Sequence, residues 1–211
     1  MEHLFSAQAA VGTKQKILET AIDLFSQNGF TGVSVREITK LVGIKESAMY
    51  NHFKNKDEIL DTIYSVFREE RKKALPPAEA LPALLASVAP ETFLLQGFDS
   101  FKRTVEDPLK LKIWRILNIE QYRDPRARSI ILEDMYQGTI DFLANVFRIY
   151  IEQERMKPLD PRQLAFEYQY PIFAVMTEYV LLKYDGKSTE ELEQMVLRHI
   201  RMFIDKATAA N

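Results

Sequence analysis

The sequence predicts an all-helical protein: three short helices at the N-terminus, followed by a larger helical body. Apolar residues return at spacings of three and four, which gathers them on one face of a helix, and runs with the two-residue alternation of a strand are few. Glycine and proline are scarce, seven and nine in 211 residues. Residues that start and stop helices recur in a consistent order along the chain.

The first helix is expected from Thr13 as N-cap, with Ile17, Ala21, Leu24 and Phe25 on its buried face and Gly29 as its stop. Gly29 to Gly32 reads as a turn. Ser34 caps a second helix, and Glu37 three residues on completes a capping box. Ile38, Leu41 and Val42 form the predicted buried stripe of that helix, and Gly43 supplies a positive φ for a sharp turn. Ile44 is placed in the core, and a third helix spans about Glu46 to His52, with Ala48, Met49 and Phe53 as its apolar contacts. Asn55 and Glu58 open a longer helix through Ile59, Ile63, Val66 and Phe67 that ends near Lys73, before Pro76 and Pro77. Further helices are expected over 79–88, 91–106, 108–122, 126–154, 161–184 and 189–207. Pro90, Pro108, Pro125 and Pro161 lie in or just before first turns, where proline is tolerated. Pro171 lies inside a helical run and predicts a kink or a break.

Composition bounds what the chain can do. A chain of this length buries roughly 70% of its unfolded surface, so a core forms without covalent staples. There is no cysteine, which excludes disulfides, thiolate metal sites and cysteine catalysis and fits a reducing cytoplasm. No apolar run approaches the roughly 20 residues of a membrane helix. The opening residues lack the basic and apolar blocks of a secretory signal and read as a frayed tail. Net charge is −2, but it is divided: seven bases face five acids in residues 1–56, and 21 face 25 in the remainder. A small basic module on an acidic body fits that split, which suggests domains at 1–56 and 57–211.

The stretch Ser34 to Lys56, SVREITKLVGIKESAMYNHFKNK, carries most of the functional information. Two helices joined at a glycine turn, the second poised to enter a groove, are the elements of a helix-turn-helix. Donors for phosphate flank that second helix densely: Lys45, Ser47, Tyr50, Lys54 and Lys56. Residues 13–60 resemble the DNA-binding domain of the tetracycline-repressor (TetR) family. The matching run is GFTGVSVREITKLVGIKESAMYNHFKNKDEIL, with its Tyr50-x-x-Phe53-Lys54-x-Lys56 pattern. The resemblance implies a three-helix DNA-binding domain on a larger helical domain that binds a ligand and dimerises. It implies that Tyr50 bonds a phosphate, that Lys54 or Lys56 sits on the DNA backbone, and that Thr31 and Ser34 donate to phosphate. Lys45, Glu46, Ser47 and Asn51 fall on the face used to read bases, and Phe53 falls in the core. Thr39 and Val42 depart from the small alanines usual there. Glu46 is an acid where a base or neutral residue is common: it either accepts from cytosine N4 or repels phosphate. His52 fits a phosphate contact and a helix-end packing role equally.

In the body, Phe98, Phe101, Trp114, Tyr122, Tyr136, Tyr168 and Tyr170 are the candidates for an apolar ligand pocket, although aromatics at helical spacing more often build core. An apolar or aromatic effector is favoured, and a cationic one is the alternative through carboxylates and ring faces. A reader of two half-sites needs a two-fold partner, and the resemblance implies that the last two long helices form the interface. The stripe Leu192, Met195, Val196, His199, Ile200, Phe203 and Ile204 is wider than one packing face needs, so Leu192, Met195, Val196, His199 and Phe203 are expected at a homodimer interface.

Catalytic signatures are missing: no GxGxxG, P-loop, GxSxG or HExxH occurs, and the three histidines lie far apart in sequence. The expectation is a non-enzyme without metal or cofactor, cytoplasmic and off the membrane. Its partners are double-stranded DNA, a small-molecule effector and a second copy of itself. The favoured role is a ligand-released repressor on a palindromic operator. The alternative is a DNA-binding scaffold that acts mainly through protein partners.

Overall fold

The computed structural model describes residues 12–208, and among these every regular element is helical. The expected frayed tail falls mostly on residues 1–11, outside the described residues. The helices are α1 (Thr13–Asn28), α2 (Val35–Val42), α3 (Glu46–Met49), α4 (Lys56–Ala74), α5 (Leu81–Ser87), α6 (Pro90–Glu106), α7 (Pro108–Glu120), α8 (Pro125–Ser129), α9 (Gly138–Glu152), α10 (Pro161–Tyr184) and α11 (Glu190–Ala207). A 3-10 turn (Ala78–Ala80) precedes α5, and a π-helical stretch (Ile130–Gln137) joins α8 to α9. The sequence reads 126–154 as one helix; no spacing in it marks the wider π turn.

Packing divides the chain into two compact units. One holds Met1–Ala74 with Asp107–Ile131, and the other holds Leu75–Glu106 with Leu132–Asn211. The unit with the helix-turn-helix therefore runs past residue 56 and takes in α7 and α8 from later in the chain. Three short helices bury too little apolar surface alone. Beyond the expected support from α4, α7 lies against both α1 and α4 and contributes Ile113, Ile116 and Leu117 to the core.

Local choices shape this unit. Thr13 is the first helical residue rather than the cap: Gly12 holds the cap position in extended conformation, with no side-chain bond. Gly29 closes α1 at φ 70°, and a Cβ there would meet Glu120 Oε1 at 3.1 Å, so both backbone angle and space require glycine. The Ser34–Glu37 capping box is complete: Ser34 Oγ accepts from the Glu37 N–H at 3.2 Å, and Glu37 accepts from the Ser34 N–H at 2.6 Å. Gly43 is left-handed (φ 78°) and ends α2 as expected. Leu41, expected in the buried stripe, is 65% exposed. Thr39 is buried on that helix instead, its hydroxyl donating to the carbonyls of Val35 and Arg36. That back-bonding satisfies the hydroxyl of a polar residue at a buried position.

The second unit packs α10 between α9 and α11, with α6 on α11 and α5 on α9. Its core includes Phe98, Phe147, Tyr150, Tyr168, Ile172 and Phe203. Tyr150 donates to the Val88 carbonyl at 3.0 Å, and burial pushes its hydroxyl up to about 12. No break occurs at Pro171: α10 runs through it, with Tyr168, Gln169 and Ile172 buried beside it. Among the described residues no helix is long and apolar enough to cross a membrane.

Candidate nucleic-acid interface

The candidate reading head is built on two buried pins. Met49 and Phe53 are 0% and 2% exposed, and the N–H groups of His52 and Phe53 both donate to the Met49 carbonyl, closing the turn after α3. With those side chains inward, Glu46, Ser47, Tyr50 and Asn51 share the outward face, and Lys45 stands at the N-cap position of α3. All five are exposed, Tyr50 by 53%. Among the described residues no hydrogen bond or ion pair occupies their side chains, so their donors and acceptors are available to a ligand. His52 is half-buried.

The flanking residues differ among themselves. Thr31 and Lys54 are exposed. The Lys54 N–H donates to Glu58, whose own N–H donates to Asn55 Oδ1 at 2.8 Å, fixing the start of α4. Ser34 is exposed, but its hydroxyl and N–H are both engaged with Glu37, and these bonds hold the Glu37 carboxyl below its ordinary range. Lys56 is turned inward. Its ammonium donates to the carbonyls of Phe30 (2.8 Å) and Val33 (2.6 Å) and lies 4.1 Å from the Phe30 ring centroid. Burial lowers its pKa, against the opposing pull of Glu120 and Glu37. Lys56 thus closes the α1–α2 turn, a task nothing in the local sequence announces, and Lys54 is the better placed of the two for a DNA backbone. Lys14, one of the seven bases of residues 1–56, lies 5.2 Å from the Phe53 ring.

In the second unit an open groove of about 820 Å³ runs between the π-helical stretch and α10. It is lined by Leu132, Tyr136, Ile140, Phe166, Tyr170 and Phe173, with Arg162 and Gln163 at its polar end. The rings touch one another: Tyr136 and Phe173 centroids lie 4.6 Å apart, those of Phe166 and Tyr170 4.2 Å. Of the seven expected pocket residues, Tyr136 and Tyr170 line this groove. Phe98 and Tyr168 are core, and Phe101 packs edge-on to Tyr179. Trp114 and Tyr122 belong to the first unit, where Trp114 stacks on Phe67 and Tyr122 is 86% exposed.

The expected dimer residues also separate. Leu192, Val196 and Phe203 are buried within their own unit, because α6 and α10 pack on α11 and Phe147 of α9 meets the Phe203 ring. His199 Nε2 bonds the Tyr168 carbonyl at 2.9 Å. Met195 is the one of the five that is exposed, and Met202, Leu181 and Tyr184 are exposed apolar side chains on the same two helices. Among the described residues no group of histidines and carboxylates is placed to hold a metal ion.

Residues 17–63 match the family model described as bacterial regulatory proteins, tetR family. The probable HTH-type transcriptional regulator YttP of Bacillus subtilis is 41% identical over 68 residues, 32% of this chain and 33% of YttP, so that match spans about a third of the relative. A second B. subtilis protein, the uncharacterized HTH-type transcriptional regulator YhgD, is 22% identical over 96% of this chain and 100% of its own. Among solved structures, the SmeT–triclosan complex superposes with a TM-score of 0.63 at 18% identity, covering 94% of this chain and 93% of SmeT, a likeness of fold. With the capping box, the glycine turn and the pinned reading head in place, residues 17–63 form a DNA-binding domain of the tetR family of bacterial regulatory proteins.

Proposed function

We propose that the protein is a ligand-responsive, DNA-binding transcriptional regulator, acting as a repressor and without enzymatic activity, in the cytoplasm. One observation carries the reading: Lys45, Glu46, Ser47, Tyr50 and Asn51 are exposed together on a short helix held by buried Met49 and Phe53, inside a unit that matches the family model. Tyr50, Lys54 and Thr31 anchor phosphates, while Lys45, Glu46, Ser47 and Asn51 meet base edges. Ser34 and Lys56 act indirectly, by fixing the turn ahead of α2.

One copy reads one half-site, so a palindromic operator needs a two-fold dimer. The exposed apolar residues Leu181, Tyr184, Met195 and Met202 support an interface on α10 and α11. The aromatic groove beside Tyr136, Tyr170 and Phe173 supports a small, largely apolar or aromatic effector, and triclosan in SmeT is of that chemistry. Effector binding lowers DNA affinity by favouring a conformation in which the two reading heads no longer fit their half-sites together.

Selection from a random duplex pool tests this. The expected product is a palindrome whose half-sites lie about one helical turn, or a multiple, apart. Recovery of unrelated sequences bound weakly and alike would leave the alternative, a scaffold working through protein partners.

A further inference from the structure

Arg126, in the first turn of α8, gathers three carboxylates that come from two parts of the chain. Its Nη1 and Nη2 fork onto Asp57 Oδ2 (2.9 Å) and Oδ1 (2.8 Å), and Nη1 also donates to Asp61 Oδ1 at 2.6 Å. Nε and Nη2 donate to Asp124, at 3.1 Å to Oδ1 and 2.7 Å to Oδ2. Asp124 is at the same time the N-cap of α8, accepting from the Arg126 N–H at 2.8 Å. Asp57 and Asp61 lie one turn apart at the start of α4, immediately after Tyr50 and Lys54. Buried Tyr64, a turn further on, sits under the guanidinium at 5.7 Å and reaches Asp124 with its hydroxyl at 3.5 Å.

An isolated exposed ion pair contributes little. This arrangement differs, because one planar group with donors in a fixed fork serves three acceptors at once. A lysine ammonium is a point charge and cannot reproduce that geometry. The same short segment holds the reading unit a second time: Glu120, 2% exposed at the end of α7, accepts the Phe30 N–H at 2.8 Å, while Lys56 takes the Phe30 carbonyl. From α8 the chain runs without interruption into the π-helical stretch, whose Leu132, Tyr136 and Gln137 line the aromatic groove.

We propose that Arg126 is a positioning residue for DNA recognition: by clamping Asp57 and Asp61 to Asp124, it sets the first two turns of α4, and so the Tyr50–Lys54 frame, by the position of α8. The inference rests on the DNA-binding reading above and adds the side chain through which α8 governs the reading head.

The decisive variants are Arg126→Lys, which keeps the charge, and the double change Asp57→Asn with Asp61→Asn, which removes two negative charges beside the DNA. Simple electrostatics predicts unchanged binding for the first and tighter binding for the second. The clamp predicts that both bind the duplex enriched by the wild type about tenfold more weakly. It also predicts faster amide exchange over residues 57–63 and unchanged exchange in the middle of α1. Equal or tighter binding by the double variant, or wild-type exchange over 57–63 in both, overturns the proposal. Should the wild type enrich no sequence, the DNA-binding reading fails by itself, and the exchange measurement alone decides whether the clamp exists.

Discussion

The helix-turn-helix of the first unit and the groove side of the second use their aromatic side chains in opposite ways. In the first, Phe25 and Phe53 are sealed pins, and the one exposed ring of the reading head, Tyr50, stands on that rigid base. In the second, a sealed core of Phe147, Tyr150 and Tyr168 coexists with rings left at the surface, Phe166 and Tyr170 at 48% and 45% exposure. A reading head must present fixed geometry to a regular duplex, so its support is dry and closely packed. A groove that admits a small molecule leaves apolar surface uncovered until something fills it. Closed packing beneath the reading head and open apolar surface at the groove thus fall in different units of one chain.

The largest effect that probes this contrast is the loss of a pin. Phe53→Ala removes a buried ring and should cost about 3–5 kcal/mol of stability, measured by urea unfolding. Phe166→Ala, at the groove, should cost under about 1 kcal/mol because much of the ring is already solvated. Similar losses for the two would erase the contrast.

Next come the reading residues. Changing Asn51 or Lys45 to Ala should shift base preference at one position, by about 1–3 kcal/mol of discrimination, read by repeating the duplex selection. Tyr50→Ala should instead weaken binding to all sequences about evenly, by roughly 1.5–3 kcal/mol if the phosphate bond is lost outright. A changed preference with intact affinity in Tyr50→Ala would reverse its assigned role.

For the second unit, Met202→Asp should yield monomers in sedimentation while the fold remains, because Met202 is 73% exposed in one copy. Phe203→Asp next to it should unfold the unit instead, its ring lying against Phe147 and Tyr168. Dimers that persist in Met202→Asp would move the interface off this face.

The smallest effect concerns acid. Burial alone would raise the pKa of Asp124, but its bonds from Arg126 outweigh burial and hold it below its ordinary value. A depressed folded pKa stabilises above the unfolded value of about 3.9 and loses that contribution as pH falls through the lower, folded value. Arg126→Gln should therefore flatten the stability profile below about pH 4. An unchanged acid limb would show that the clamp contributes nothing to folding.

Much of the first unit was legible because its signals are local. The capping box at Ser34 and Glu37, the left-handed Gly43 and the Met49–Phe53 spacing each act within a few residues, and those contacts set which way Tyr50 and Asn51 point. The placement of Lys56 and Leu41 is not legible locally, for the complementary reason. Whether an ammonium faces DNA or the carbonyls of Phe30 and Val33, and whether a leucine three residues from Ile38 is covered, depends on packing from elsewhere. Most of the body's helices were legible from periodicity and proline placement. Their partners were not: the stripe on α11 looked wide enough for two neighbours, but α6, α10 and Phe147 of α9 pack against it within one chain. The sharing of α7 and α8 with the N-terminal unit left no local mark at all, and Arg126 acquires its meaning only once those helices are in place.

The central claim is that a pinned, exposed face reads DNA sequence. An equilibrium titration of the wild type against its enriched duplex and a scrambled duplex of equal length, across a salt series, tests it most directly. The logarithm of the binding constant is expected to fall linearly with the logarithm of salt for both duplexes, with the enriched one bound at least about 10³-fold more tightly near physiological salt. Equal affinity for the two duplexes at every salt concentration would contradict it.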